Sequence, residues 1–217
     1  MLSYENIKNN EAIKSYIKAA DASLRALGFT EHSFAHVGKV SDAAAEILTY
    51  VGCDAHTVGL AKIAGYLHDI GNLVNRIEHS QSGAVMAFRI LDNLGMPAED
   101  IATIVTAIGN HDEGTGVPVN EVSAALIIAD KTDVRRSRVR NTDPATFDIH
   151  DRVNFSVESS ELLIAEREIT LVLKIDTEIS SLINYFEIFL DRMMLCRKAA
   201  DRLGLTFRLV INEQQFI

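Results

Sequence analysis

Apolar residues recur at helical spacing through most of the first 140 residues. In FAHVGKVSDAAAEILTYVG, residues 34–52, they repeat at intervals of three and four, and Gly52 ends the pattern. The same spacing predicts helices at residues 79–94, 98–111 and 119–138. The last of these is apolar nearly all round at SAALIIAD, which predicts a buried helix. This part of the chain is therefore predicted to be a helical bundle.

The pattern changes at residues 141–150, where NTDPATFDIH contains Asp-Pro and scattered polar side chains that favour a linker. Beyond it, apolar and polar residues alternate at residues 153–157 and again at 169–175, which predicts two half-buried strands. A long amphipathic helix is predicted from residue 179 to residue 194, and LTFRLVIN predicts a closing strand. These elements predict a small α+β unit.

We therefore predict a mainly α fold, with a helical domain over residues 1–145 and an α+β appendage over residues 151–217. The formal net charge of −9 argues against binding a nucleic acid polymer or an anionic membrane surface. No apolar run approaches the roughly 18 residues of a membrane span, and the N-terminus has no secretory signal pattern. The two cysteines form no disulfide framework. We expect a cytoplasmic protein.

Four histidines and two aspartates lie near the ends or on the inward faces of the predicted helices: His36, His68, Asp69, His79, His111 and Asp130. A single inward histidine is more often a hydrogen-bonded core residue than a ligand, and Asp130 alone fits an ion pair equally well. As a set, however, imidazoles and carboxylates on several helix ends are typical of metal sites inside helical bundles. Mixed nitrogen and oxygen ligands favour first-row metals.

Four segments resemble the signature of the HD-domain metal-dependent phosphohydrolases: TEHSFAHVGKV, LHDIGN, HSQSGA and IADKTD. The resemblance covers about residues 20–140 and implies an HD-domain helical bundle. It implies that one metal is held by His36, His68, Asp69 and Asp130, and that Asp69 bridges to a second metal.

The resemblance extends to the two-metal branch of that family, because His79 and His111 match its additional histidines. It therefore implies two divalent metal ions, drawn from Fe, Mn, Co, Ni, Zn or Mg. Such a pair activates a water and neutralises charge on a phosphoryl group. The implied reaction is hydrolysis of a phosphate ester or anhydride of a nucleotide or other small phosphorylated metabolite, with Asp69 as a catalytic residue. The alternatives are an HD-type di-iron oxygenase and a ligand-sensing regulatory module with a slow site.

The chain departs from many relatives at Asn72, where they have a phosphate-contacting lysine. The spacing places Lys131, Arg135 and Arg138 on one face of the predicted last helix. One interpretation is a solvated face with surface ion pairs. The other is a phosphate clamp, in which Lys131 is catalytic and substrate-binding and Arg135 assists. Arg76, in the loop before the second-metal ligands, is a further substrate-binding candidate.

Residues 151–217 contain no histidine and no cluster of ligands, so we expect no second active site there. The strand ITLVLKID offers an edge that a second copy could use, which favours a homodimer through the appendage. The alternative, equally compatible with the pattern, is that the appendage covers its own helical domain.

Overall fold

The computed structural model describes residues 2–217. The N-terminal part consists of helices joined by short connections, which confirms the predicted helical bundle. Their bounds are α1 Tyr4–Lys8, α2 Glu11–Ala26, α3 Phe34–Tyr50, α4 Ala55–Leu67, α5 His79–Asn93, α6 Ala98–Gly109 and α7 Glu121–Lys131. A short 3-10 helix, Ile70–Leu73, follows α4. Within residues 2–217 no helix combines the length and apolarity that crossing a membrane requires.

The C-terminal part contains two helices and a small mixed sheet. Its elements are α8 Ile149–Ser156, β1 Val157–Ala165, β2 Glu168–Ile175, α9 Leu182–Arg202, β3 Thr206–Ile211 and β4 Gln214–Gln215. The strands lie side by side in chain order, with β1–β2 and β3–β4 antiparallel and β2–β3 parallel. Helix α9 supplies the crossover that a parallel strand pair requires. The predicted α+β composition, the second strand and the long helix are confirmed.

One continuous apolar core includes side chains from both parts of the chain. Helix α7 lies at its centre, where Leu126 and Ile127 are fully buried. Helix α9 packs against α7 and buries Phe189 and Cys196 in the same core. The inner face of α9 thus covers the helical domain of its own chain. This is the second of the two roles that the sequence allows for the appendage. The homodimer, and the division of the chain into two domains, stay predictions.

The predicted helix over residues 119–138 is wrong beyond Lys131, where α7 ends. Arg135 has an extended backbone, and a separate 3-10 turn, Arg136–Arg138, follows it. The chain turns here because Arg138 donates to the backbone oxygens of Asp133 and Glu31, both at 2.9 Å. Lys131, Arg135 and Arg138 consequently do not share one helix face.

The predicted strand over residues 153–157 is also wrong, because residues 149–156 form α8. The side chain of Asp148 caps this helix by accepting a hydrogen bond from the backbone nitrogen of Asp151 at 2.8 Å. Such a cap satisfies an amide that the first helical turn leaves free. This capping pattern is present in the sequence and outweighs an alternation of only five residues. Strand β1 begins at Val157 and pairs with β2 along its length.

Candidate metal centre

Six predicted ligands converge at one point between the helices. His36 lies on the first turn of α3, His68 directly follows α4, His79 begins α5, and Asp130 lies on the last turn of α7. The remaining two, Asp69 and His111, lie on the connections after α4 and α6. All four histidines are at most 2% exposed.

The first group of side-chain atoms has the spacing of ligands around one ion. His36 Nε2 lies 3.3 Å from Asp130 Oδ1 and 3.6 Å from Asp69 Oδ2. His68 Nε2 lies 3.4 Å from Asp69 Oδ2 and 3.6 Å from Asp130 Oδ1. Ligands about 2.0–2.2 Å from a common metal, in octahedral or tetrahedral positions, lie roughly 2.8–3.6 Å from each other. These four side chains can therefore hold one metal ion.

Three of these atoms are buried without a hydrogen-bond partner: His36 Nε2, His68 Nε2 and Asp69 Oδ2. A buried polar atom with no partner is costly, and native proteins rarely leave one. Here all three face the same point. A cation bound there would satisfy all of them at once, so the residues present fit a metal ion.

The second group is formed by His79, His111 and the other oxygen of Asp69. His79 Nε2 lies 3.1 Å from His111 Nε2 and 3.5 Å from Asp69 Oδ1. The Nδ1 atom of His111 lies 2.6 Å from the backbone oxygen of Ile108, and Nδ1 of His79 lies 3.2 Å from that of Arg76. Because a carbonyl oxygen only accepts, Nδ1 of His111 carries the proton, which leaves the lone pair of its Nε2 directed at His79. A shared cation would be bound by the Nε2 atoms of both histidines.

Asp69 connects the two groups, because its Oδ2 faces His36 and His68 and its Oδ1 faces His79. A neighbouring cation hinders metal binding at the second group. Arg76 Nη1 lies 3.2 Å from His79 Nε2 and 3.3 Å from His79 Nδ1. A cation bound at His79 would require this guanidinium to move, because like charges repel at such distances.

Close backbone packing brings the second group to the first. A Cβ atom on Gly71 would lie 2.0 Å from the backbone oxygen of His79 and 2.4 Å from the nitrogen of Gly83. Only glycine permits this approach. The start of α5 therefore packs directly on the turn after Asp69 and places His79 beside the carboxylate.

The charges at the centre favour a cation. Burial opposes ionisation of Asp69 and Asp130, but nearby positive side chains, His68 for the first and Lys131 for the second, hold the pKa of each well below its usual range. Burial also opposes charging of His68, yet the two carboxylates outweigh it and raise the His68 pKa to about 10. For His111, burial and then the charge of His68 lower the pKa well below its usual value, so its imidazole is neutral.

Two residues outside the predicted set orient the ligands. Asp133 Oδ2 accepts from Nδ1 of His36 at 2.8 Å, which leaves Nε2 free to face the centre. Asn72 Nδ2 donates to Oδ1 of Asp69 at 2.9 Å. Such contacts fix the ring orientation and basicity of metal ligands. The sequence shows Asn72 only as a missing lysine, and nothing in it distinguishes Asp133 from a surface acid.

The predicted substrate-binding cations occupy different places. Lys131 is 5% exposed, and its Nζ lies 2.8 Å from Asp130 Oδ2 and 2.6 Å from Glu113 Oε2. Arg76 borders the small cavity at the metal centre, as Lys131 does. Arg135 does not border it, because its guanidinium pairs with Glu31 and Asp133, each at 2.9 Å.

Arg138, the third cation of the predicted clamp, also borders this cavity, as do His32 and Arg192. The sequence pattern fits His32 equally well as a site contact or as a helix cap, and its Nε2 lies 4.0 Å from Asp69 Oδ2. Arg192 comes from α9 and donates to Glu113 Oε1 at 2.8 Å. The only available signal for Arg192 is a position on a long amphipathic helix, which does not indicate a site.

Comparison with known proteins shows which family the helical part of the chain matches. Residues 33–137 match the HD domain family, and this stretch contains all six predicted ligands. The match confirms the predicted HD-domain resemblance, whereas the two-metal branch and the phosphohydrolase activity stay predictions. The carboxyl-terminal strands and α9 lie outside the matched residues.

The proteins similar to this chain include one curated protein and one solved structure. The "Uncharacterized protein MJ1020" of Methanocaldococcus jannaschii is 25% identical, over 73% of this chain and 70% of that protein. The crystal structure of a predicted HD superfamily hydrolase from an uncultured Thermotogales bacterium is 25% identical, with a TM-score of 0.46, over 57% of this chain and 67% of that one. The assignment of the HD domain depends on the family match alone.

Proposed function

We propose that this protein is a metal-dependent phosphohydrolase that cleaves a phosphate ester or anhydride of a small phosphorylated molecule, nucleotides included. The observation that carries the proposal is the convergence of His36 Nε2, His68 Nε2 and Asp69 Oδ2, all buried and without a hydrogen-bond partner. The HD domain over residues 33–137 supports it.

In this proposal the first metal is held by His36, His68, Asp69 and Asp130, and a second by Asp69, His79 and His111. A bound pair of divalent cations supplies a hydrolytic water at neutral pH and offsets the negative charge of a phosphoryl group. The two oxygens of Asp69 face the two groups of histidines, so this carboxylate belongs to both.

The chain's own cations have a separate task, which is to bind the phosphate oxygens. Arg76, Arg138 and Arg192 border the cavity at the metal centre. Guanidinium groups match phosphate geometry and stay charged at every relevant pH. Lys131 adds a fourth charge, although Asp130 and Glu113 already offset part of it.

Burial of the centre is the third contribution. Its histidines are at most 2% exposed, and the cavity beside them measures about 20 Å³. A dry environment strengthens each electrostatic contact between the side chains and a phosphoryl group.

Metal analysis of the purified protein, followed by a panel of phosphate monoesters, diesters and anhydrides, tests the proposal. We expect bound first-row metal and phosphate release that a chelator abolishes and added metal restores. Oxygen consumption by the iron-loaded protein, with no hydrolysis of any panel compound, would favour the di-iron oxygenase instead. Tight binding without turnover would favour the sensing module.

A further inference from the structure

A pocket of about 310 Å³ lies beside the metal centre, and its far wall comes from the C-terminal part of the chain. The pocket and the smaller cavity share four bordering residues: His32, Arg76, Arg138 and Arg192. These four side chains therefore lie between the two spaces. A molecule with its phosphoryl group at the metal centre would extend between the arginines into the pocket.

Aromatic rings support two of these arginines. The guanidinium carbon of Arg76 lies 5.7 Å from the ring centre of Phe29, and that of Arg192 lies 4.9 Å from the ring centre of Phe189. Such contacts are attractive and restrict the guanidinium group to one orientation. The border between cavity and pocket is therefore held in place by contacts within the protein.

The far wall of the pocket contains two polar side chains that are mostly buried. Asp151 and Asn154, both on α8, are 8% and 7% exposed. Asn154 Nδ2 donates to the backbone oxygen of His150 at 2.9 Å, and Asp151 Oδ2 accepts from Asn141 at 3.3 Å. Within residues 2–217 no side chain or backbone group donates to Oδ1 of either residue, and neither oxygen is among the fully buried atoms that lack a partner. Both oxygens are therefore accessible to a hydrogen-bond donor from solvent or from a bound molecule.

We propose that this pocket selects the substrate, and that Asp151 and Asn154 accept hydrogen bonds from hydroxyl or amino groups on its organic part. The placement of the phosphoryl group depends on the proposed function. A volume of about 310 Å³ is at the lower end of the roughly 300–1,000 Å³ of small-molecule sites. The pocket thus takes one compact polar group and has no room for a polymer.

This recognition belongs to the C-terminal part of the chain and not to the HD domain. Asp151, Asn154 and Arg192 all lie beyond residue 137, where the family match ends. The appendage therefore completes the substrate site, in addition to any role in oligomerisation.

Calorimetric binding to the full-length, Mn²⁺-loaded protein tests the inference. The probes are glucose 6-phosphate, glycerol 3-phosphate and cytidine 5′-monophosphate, compared with phenyl phosphate, which has no donor on its organic part, and with inorganic phosphate. We expect at least one donor-bearing probe to bind about tenfold more tightly than phenyl phosphate. Asp151→Asn and Asn154→Ala should each weaken that probe about five- to tenfold and leave inorganic phosphate unchanged.

Asn184→Ala is the matched control, because Asn184 lies on α9 and does not border the pocket. It should bind every probe as the unsubstituted protein does. Equal binding of phenyl phosphate and all three donor-bearing probes, or a preference that survives both α8 substitutions, would overturn the inference. Phosphate release is measured separately. A preference lost in the variants without any hydrolysis supports the pocket and contradicts the proposed function, whereas hydrolysis without a preference does the reverse.

Discussion

The metal centre and the neighbouring pocket differ in which part of the chain builds them. Every predicted metal ligand lies within the HD domain, on or beside helices whose apolar spacing is plain in the sequence. The far wall of the pocket comes from α8, and one of its arginines comes from α9. The comparison indicates that metal binding and substrate selection are separable. Substitutions in the centre should remove metal, whereas substitutions in the pocket should change ligand binding with metal retained.

The largest effect is expected for Asp69→Ala, because this carboxylate faces both groups of histidines. We expect metal binding to weaken by more than about 100-fold, since even an indirect contact to a ligand contributes 10- to 100-fold. Hydrolysis should be lost with the metal, and circular dichroism should show an intact helical core. Asp42→Ala, at an exposed carboxylate on α3, is the control. Full turnover in the Asp69 variant would contradict its role.

Asp133→Asn should have the next largest effect, although Asp133 is not a ligand in the proposed site. Asn keeps the shape of the side chain but removes the charge that orients the His36 ring through its 2.8 Å contact. We expect metal affinity to fall about 10- to 100-fold, measured by competition with a fluorescent chelator. The control is again at Asp42, here as the matched substitution Asp42→Asn. Unchanged affinity would show that the contact has no influence on the metal.

Lys131→Met tests the phosphate-binding role of a cation at the metal centre, because Lys131 contacts a predicted ligand and borders the small cavity there. Met keeps the length of the buried side chain and removes its charge. We expect kcat/KM for phosphate esters to fall about tenfold, with both metals retained. Lys14→Met, at a partly exposed surface residue of α2, is the control. Unchanged kinetics would mean that Lys131 only balances the charges of Asp130 and Glu113.

The smallest effect is expected for Arg192→Leu, which alters the pocket from outside the HD domain. We predict a rise in KM of roughly fivefold with metal content unchanged, because this partly exposed guanidinium already shares its charge with Glu113. Arg202→Leu, on the same helix near its exposed end, should leave KM unaltered. Loss of metal in the Arg192 variant would show that the two regions are not separable.

The sequence predicts the convergence of the candidate ligands better than it predicts the residues around them, for a physical reason. Ligands on inward helix faces are tied to the apolar period, so the positions of His36, His68 and Asp130 follow from the spacing of their apolar neighbours. The residues around them act through contacts between segments distant in the chain. Asp133 and His36 are separated by 97 positions, and Arg192 and Glu113 by 79. No local pattern records such a pairing.

The same contrast explains the two wrong elements. Residues 119–130 follow the apolar period of α7, but the turn after Lys131 depends on Arg138 reaching the backbone of Asp133 and Glu31. Within α8, the cap from Asp148 and the burial of Val153, Asn154 and Ser156 determine the helix. The alternation of apolar residues alone indicates a strand. A pocket formed between distant segments is accordingly the part of a site that is hardest to predict from sequence.

An anomalous-difference map from crystals of the metal-loaded protein would show directly whether the candidate ligands hold metal. We expect one peak bonded to His36 Nε2, His68 Nε2, Asp69 Oδ2 and Asp130 Oδ1. We expect a second peak bonded to Asp69 Oδ1, His79 and His111, with Arg76 moved away from His79. A single peak with His79 and His111 turned away would contradict the two-metal arrangement. No peak at the first four atoms, under metal-replete conditions, would contradict the metal centre itself.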